Sequence, residues 1–138
     1  MKALKICNCG AVSFVDIPSN GSLPEFQELV GGRIEALGFP CDSHAYINDE
    51  GKLLELPVNK VATAICVLLE IGLMPGDFIH GPMVILSDGP DGGEASISPE
   101  LIKLIADATI GKGADISVFM DDKSKQVWES LMQKAGEK

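Results

Sequence analysis

The spacing of apolar residues changes period several times along the chain, and each change predicts an element. "ALKICNCGAVSFVDI" (3–17) alternates apolar and polar positions on either side of residues 8–10, which predicts two short strands joined by a turn. Pro18, Asn20 and Gly21 then mark a turn. In "SLPEFQELVGG", Phe26, Leu29 and Val30 share one helical face. Ser22 is the candidate cap there, Pro24 stands in the first turn, and Gly31 and Gly32 supply the stop, so a helix of about two turns is expected. "RIEALGFP" predicts a strand ending at Gly38 or Pro40, and "SHAYINDEGKLLEL" predicts a hairpin that turns at "NDEG".

The longest apolar run, 61–74, holds a single charge, Glu70, and predicts a core helix over 60–72 followed by a turn at "LMPGD". "FIHGPMVILS" predicts a strand interrupted at Gly81 and Pro82, either bulged there or lying partly at a sheet edge. "DGPDGG" predicts a flexible acidic loop. "SPELIKLIADATIG" has helix boundary chemistry at both ends. Ser98 caps it, Pro99 takes the first position, Glu100 suits the positive helix end, and Gly111 stops it. "DISVFM" predicts a last strand, and "DDKSKQVWESLMQKAG" a closing amphipathic helix with Val127, Trp128 and Leu131 turned to the body. Strands and helices mix without regular β-α-β alternation, and neither repeat nor linker interrupts them. The expectation is a single α+β domain over 1–138, with a mixed or mainly antiparallel sheet, a central apolar helix and two C-terminal helices.

Composition sharpens this reading. At 138 residues and 46% hydrophobic content, the chain can bury one core without metal or disulfide help. Twenty acidic residues against 11 basic give a formal charge of −9, which repels phosphate backbones and disfavours nucleic-acid partners. Imitation of nucleic acid needs carboxylates ordered along one face, and here they are dispersed. The apolar run 61–74 is too short to cross a bilayer and no secretory signal is visible, so a cytoplasmic protein with reduced cysteines and no membrane contact is expected.

Three segments, "FQELVGGRIEAL" (26–37), "INDEGKLLELPVNKVATAI" (47–65) and "GDFIHGPMVIL" (76–86), resemble in order and spacing the small phage and bacterial family catalogued as domain of unknown function 3846. The resemblance covers residues 3–90, leaving 91–138 as a C-terminal extension packed on that core. It implies a compact α+β domain, a cytoplasmic setting often in a phage or mobile element, and no established reaction. Arg33 stands where an aromatic residue is common in the family, and the four cysteines lie outside its motif.

Candidate chemistry concentrates in "LPVNKVATAI". Asn59 fits a helix cap, which contributes about 1 kcal/mol. Lys60, at the first helical position, faces the positive end of the helix dipole. Either a carboxylate (Asp49, Glu50 or Asp77) or a bound anion would offset that placement. Cys7, Cys9, Cys41 and His44 together have the donor chemistry of a four-ligand zinc set, against the simpler reading of cysteines as small buried hydrophobes. Neither histidine sits in a catalytic motif, and no nucleophile, base and orienting group can be assembled. The expectation is therefore a binding protein without cofactor, holding a small anionic, nucleotide-like ligand through Asn59, Lys60 and Arg33 to counter host defence. Alternatives are an acidic inhibitor that binds a host protein, a small enzyme, or a zinc-stabilised module. Self-association stays open.

Overall fold

A computed structural model describes residues 1–18, 23–71 and 77–136. Expected features at Asn20, Gly21, Ser22 and Gly72, and the turn over 73–76, lie outside the described residues. The elements run β1 (Lys2–Ile6), β2 (Val12–Asp16), α1 (Leu23–Val30), β3 (Ile34–Phe39), β4 (Ser43–Asn48), α2 (Lys60–Leu68), β5 (Met83–Asp88), β6 (Glu94–Ala95), α3 (Pro99–Ile110) and α4 (Asp122–Gly136). Short 3-10 turns occupy Pro90–Gly92 and Ile116–Phe119. The fold is α+β, as expected.

The strands form one antiparallel sheet in the order β2-β1-β5-β4-β3, with β6 pairing the end of β5. The sheet's pleat sorts its side chains. Leu4, Ile6, Met83, Ile85 and Ala45 point to the face covered by α2, α3 and α4, where Ile65, Leu101, Ile102, Ile105 and Trp128 meet them. Ala3, Val84, Leu86 and Tyr46 point to the other face and pack on Phe26 and Val30 of α1. Each fully buried aliphatic side chain contributes roughly 1.5–3 kcal/mol, so the larger cluster carries most of the stability.

Four expectations are corrected. β5 is the centre of the sheet and not an edge, because Gly81 and Pro82 precede the strand instead of interrupting it. β4 pairs with β3 and β5; "KLLEL" forms no strand. Residues 50–56 instead make one helical turn, closed by Leu56 N–H to Gly51 O (2.9 Å) and Glu55 N–H to Lys52 O (3.1 Å), with Glu55 at φ 55°. "DGPDGG", expected as a loop, holds the 3-10 turn Pro90–Gly92 and leads into β6. "DISVFM" becomes a 3-10 turn started by Asp115, whose carboxylate accepts from the Ser117 backbone (3.0 Å) and so pulls the chain out of strand geometry.

Among helix ends, Ser98 and Pro99 start α3 as expected. Its reversal comes at Gly113 (φ 80°), two residues after Gly111, which stays helical. α2 ends by the same bonding pattern at Glu70 (φ 56°), a position that glycine usually takes.

Candidate functional site

One end of the sheet gathers most of the residues singled out in the sequence. Asn59, the N-cap of α2, is 1% exposed and fully engaged. Its oxygen accepts from Ala62 N–H (3.0 Å), and its amide donates to Ile6 O (2.8 Å) and Gly81 O (3.0 Å). The side chain thus ties α2 to β1 and to the approach of β5. Lys60 beside it is exposed, and its side chain makes no hydrogen bond or ion pair among the described residues. None of its expected carboxylate partners reaches it: Asp77 pairs with Lys52, and Asp49 lies 3.7 Å from Arg33. Arg33 precedes β3 at the sheet edge, whereas Asn59 docks between β1 and β5, so β4 and β5 separate the two positions. The structure therefore brings Asn59 and Lys60 together and leaves Arg33 apart.

A cleft of about 420 Å³ opens at this end, between the β3–β4 edge and the turn over 50–56. Its acidic side chains are Glu35, Asp49, Glu50 and Asp77, set against Lys52, with His80 also in the lining. Hydrogen bonding from Lys52 holds the Asp77 carboxyl below its ordinary value. Leu53 and Phe78, 78% and 49% exposed, form apolar rims. The walls are built locally. Asn48 accepts from Glu50 N–H (2.8 Å) and donates to Val30 O (3.2 Å), which sets the chain's exit from β4. Gly51 lies against the His80 backbone, where a Cβ would stand 2.6 Å from His80 O. His80 Nδ1 and Leu56 O are 2.9 Å apart, and Val58 pairs with His80 as an isolated bridge.

β3 adds a second feature to the cleft. Asp49 N–H donates to Arg33 O (2.8 Å), which fixes the register: Arg33, Glu35, Leu37 and Phe39 direct their backbone groups at β4. Ile34, Ala36 and Gly38 direct theirs outward, and no described strand lies beyond them.

On the opposite face, β4, β5 and β6 assemble a group that the sequence did not reveal. His44 Nδ1 lies 2.5 Å from Asp88, and its buried Nε2 comes only within 3.5 Å of Glu94 without a hydrogen bond. The Tyr46 hydroxyl donates to Glu94, and burial first, then that bond, push the phenol well above its ordinary value. Tyr46 also meets Phe26 at 4.7 Å between ring centroids. The i, i+2 spacing of His44 and Tyr46 was the one local signal; the carboxylates arrive from more than 40 residues away. His44 Nε2 faces Glu94 on the side of the sheet away from the cleft, and the group ties three strands together.

The zinc set is not assembled. Among the described residues no group of three or more His, Cys, Asp or Glu side chains could hold a metal. Cys7 follows Ile6, opposite Met83, whereas Cys41 and His44 flank Ser43, opposite Ser87. Met83 and Ser87 stand four positions apart on β5, roughly 13 Å along the strand. No described helix is long and apolar enough to cross a membrane.

Comparison with known proteins places the chain in one family. A model of the family described as "Domain of unknown function (DUF3846)" matches residues 1–110 of the 138, so the chain belongs to that family. The match reaches residue 110, beyond the 90 at which the resemblance stopped. α3 therefore lies within the family region, and the segment beyond it is 111–138. No curated protein and no solved structure matches the chain.

Proposed function

We propose that this member of the domain of unknown function 3846 family works by binding a partner protein, taking an extended basic segment along β3 and across the acidic cleft. The observation that carries the reading is a convergence. Carboxylates from three separate stretches, Glu35, Asp49 with Glu50, and Asp77, surround one cleft beside a sheet edge whose outward backbone groups have no described partner. A strand laid on β3 would pair with Ile34, Ala36 and Gly38 and send alternate side chains over the carboxylates. Exposed Leu53 and Phe78 would give such a segment apolar contact at the rim. In the phage setting that the family resemblance implies, the partner belongs to the host and the chain acts as an inhibitor.

The second reading, a small anionic ligand, rests on Lys60, exposed in the first turn of α2. Neither Asn59, whose polar atoms are engaged, nor distant Arg33 joins it, and an anion in the neighbouring cleft would meet net negative charge. A short peptide with Lys or Arg at alternate positions, compared by calorimetry with its Glu counterpart and with nucleotides, separates the two. Heat with the basic peptide alone, weakening with salt and lost in Glu35→Lys/Glu50→Lys, is the expected result. Heat with a nucleotide that disappears in Lys60→Ala, and none with the basic peptide, would overturn it.

A further inference from the structure

The turn between β1 and β2 carries two thiols that neither the fold nor the cleft uses. Cys7 and Cys9 flank Asn8 in a turn closed by Cys7 N–H to Ala11 O (2.8 Å) and Gly10 N–H to Cys7 O (3.0 Å). Gly10, at φ 100°, makes the reversal that another residue would resist. The Cys9 backbone N–H donates to Cys7 Sγ at 3.3 Å, which draws the first sulfur in over the second residue. The root of the turn is held as well, because Asn59 binds the carbonyl of Ile6, the residue before Cys7. Cys9 is exposed and Cys7 half-buried beside it, and both are free thiols. We propose that Cys7 and Cys9 form a thiol–disulfide exchange site that reduces small, accessible disulfides.

The geometry assigns the roles. Cys9, open to solvent, attacks; Cys7, sheltered and adjacent, resolves. Hydrogen bonding from the Cys7 thiol, and then from the Ala11 backbone, holds Cys9 below its ordinary value. Burial, and then the same thiol contact, push Cys7 up. Such a pair has one sulfur that gives up its proton more readily and a second that holds its proton longer. The Cys9 thiolate attacks one sulfur of a disulfide RS–SR′. A Cys9–SR bond forms as S–S breaks, and R′S⁻ leaves to take a proton from water. Cys7 then loses its proton and attacks Cys9 Sγ, closing a Cys7–Cys9 disulfide and releasing RS⁻. Two electrons pass from the dithiol to the substrate, which leaves as two thiols.

The other cysteines supply controls inside the same chain. Cys41 is exposed but has no thiol neighbour, and burial followed by the charges of Glu100 and Asp42 raise its pKa. Cys66 is buried in the core, and burial pushes it up to about 11.

The test uses the full chain with Cys41→Ser, fully reduced, then exposed to oxidised glutathione and read by intact and peptide mass spectrometry. The expected product is a loss of two hydrogens located at Cys7–Cys9 with release of reduced glutathione. In a Cys7→Ser variant, where serine keeps an acceptor for the Cys9 N–H, a glutathione adduct on Cys9 accumulates at least about tenfold over the parent because nothing resolves it. Cys9→Ser forms neither product. Circular dichroism on each variant confirms that the sheet is intact. Two stable glutathione adducts without a disulfide, a disulfide between two molecules, or unreacted thiols in a folded chain would each overturn the proposal.

Discussion

At Asn59 every polar atom of the side chain is committed, the oxygen to Ala62 and the amide to Ile6 and Gly81. Asn59→Ala would remove a cap and strand two carbonyls in a site that is 1% exposed. A cap contributes about 1 kcal/mol and each abandoned buried acceptor about 1 kcal/mol more, so urea denaturation should show a loss of about 3 kcal/mol. Lys60→Ala should change stability by less than about 0.5 kcal/mol, with a small gain favoured because a cation leaves the positive end of α2. A large loss at Lys60 would mean that the lysine holds the fold together. The sequence made the cap at Asn59 legible, since asparagine before an apolar helix has a local reason to be there. The two long-range bonds were not legible, nor was the Tyr46–Glu94–His44–Asp88 group. Their partners lie 22 to 53 residues away in the first case and up to 48 in the second, and only the register of the sheet brings them together.

Elements were legible where short-range chemistry decides the outcome and obscure where pairing does. α3 could be read from Ser98 and Pro99, and the first hairpin from its alternation and Gly10. The partner of β4 could not be, because "NDEG" suits a hairpin turn as well as it suits the helical turn that forms. α4 offers a direct test of such local control. Asp121 accepts from Ser124 N–H at 2.7 Å and from that bond has its carboxyl held below the ordinary range. A lowered folded-state value means that the cap stabilises the protein above the ordinary carboxylate range of about 3.9, and that this contribution disappears as pH falls through the folded value. The stability gap between the parent and Asp121→Ala should therefore be open at neutral pH and close below pH ~4. Trp128, the chain's one tryptophan and buried on α4, reports the docking of this helix by fluorescence during urea titrations at each pH. A gap that stays constant into acid would show that the Asp121 bond does not carry the cap.

Across the whole molecule, the family match and the hydrophobic core draw different boundaries. The match ends at residue 110, the last residue of α3, and invites the view that 111–138 is an appendage. Packing contradicts it. Ile116, Met120 and Trp128 belong to the same cluster as Leu4, Ile85 and Ile105, and Ser124 Oγ accepts from Phe14 N–H of the edge strand β2 at 3.2 Å. Removing residues 111–138 would uncover the α3 face that α4 covers and leave β2 without that cap. Burial of a tryptophan and two aliphatic side chains contributes roughly 6 kcal/mol, which is comparable to the whole stability of a domain this size. A 1–110 chain should therefore lose its cooperative calorimetric transition and bind a hydrophobic dye, while the full chain melts in a single transition that Trp128 fluorescence and far-ultraviolet dichroism trace together. If 1–110 melted cooperatively with only a modest drop in Tm, the C-terminal helix would be a separable addition. The cleft, the β3 edge and the Cys7–Cys9 turn could then be studied on the shorter chain. The shared core argues for the first outcome: these sites are held in place by a sheet that needs α4 to close its second layer.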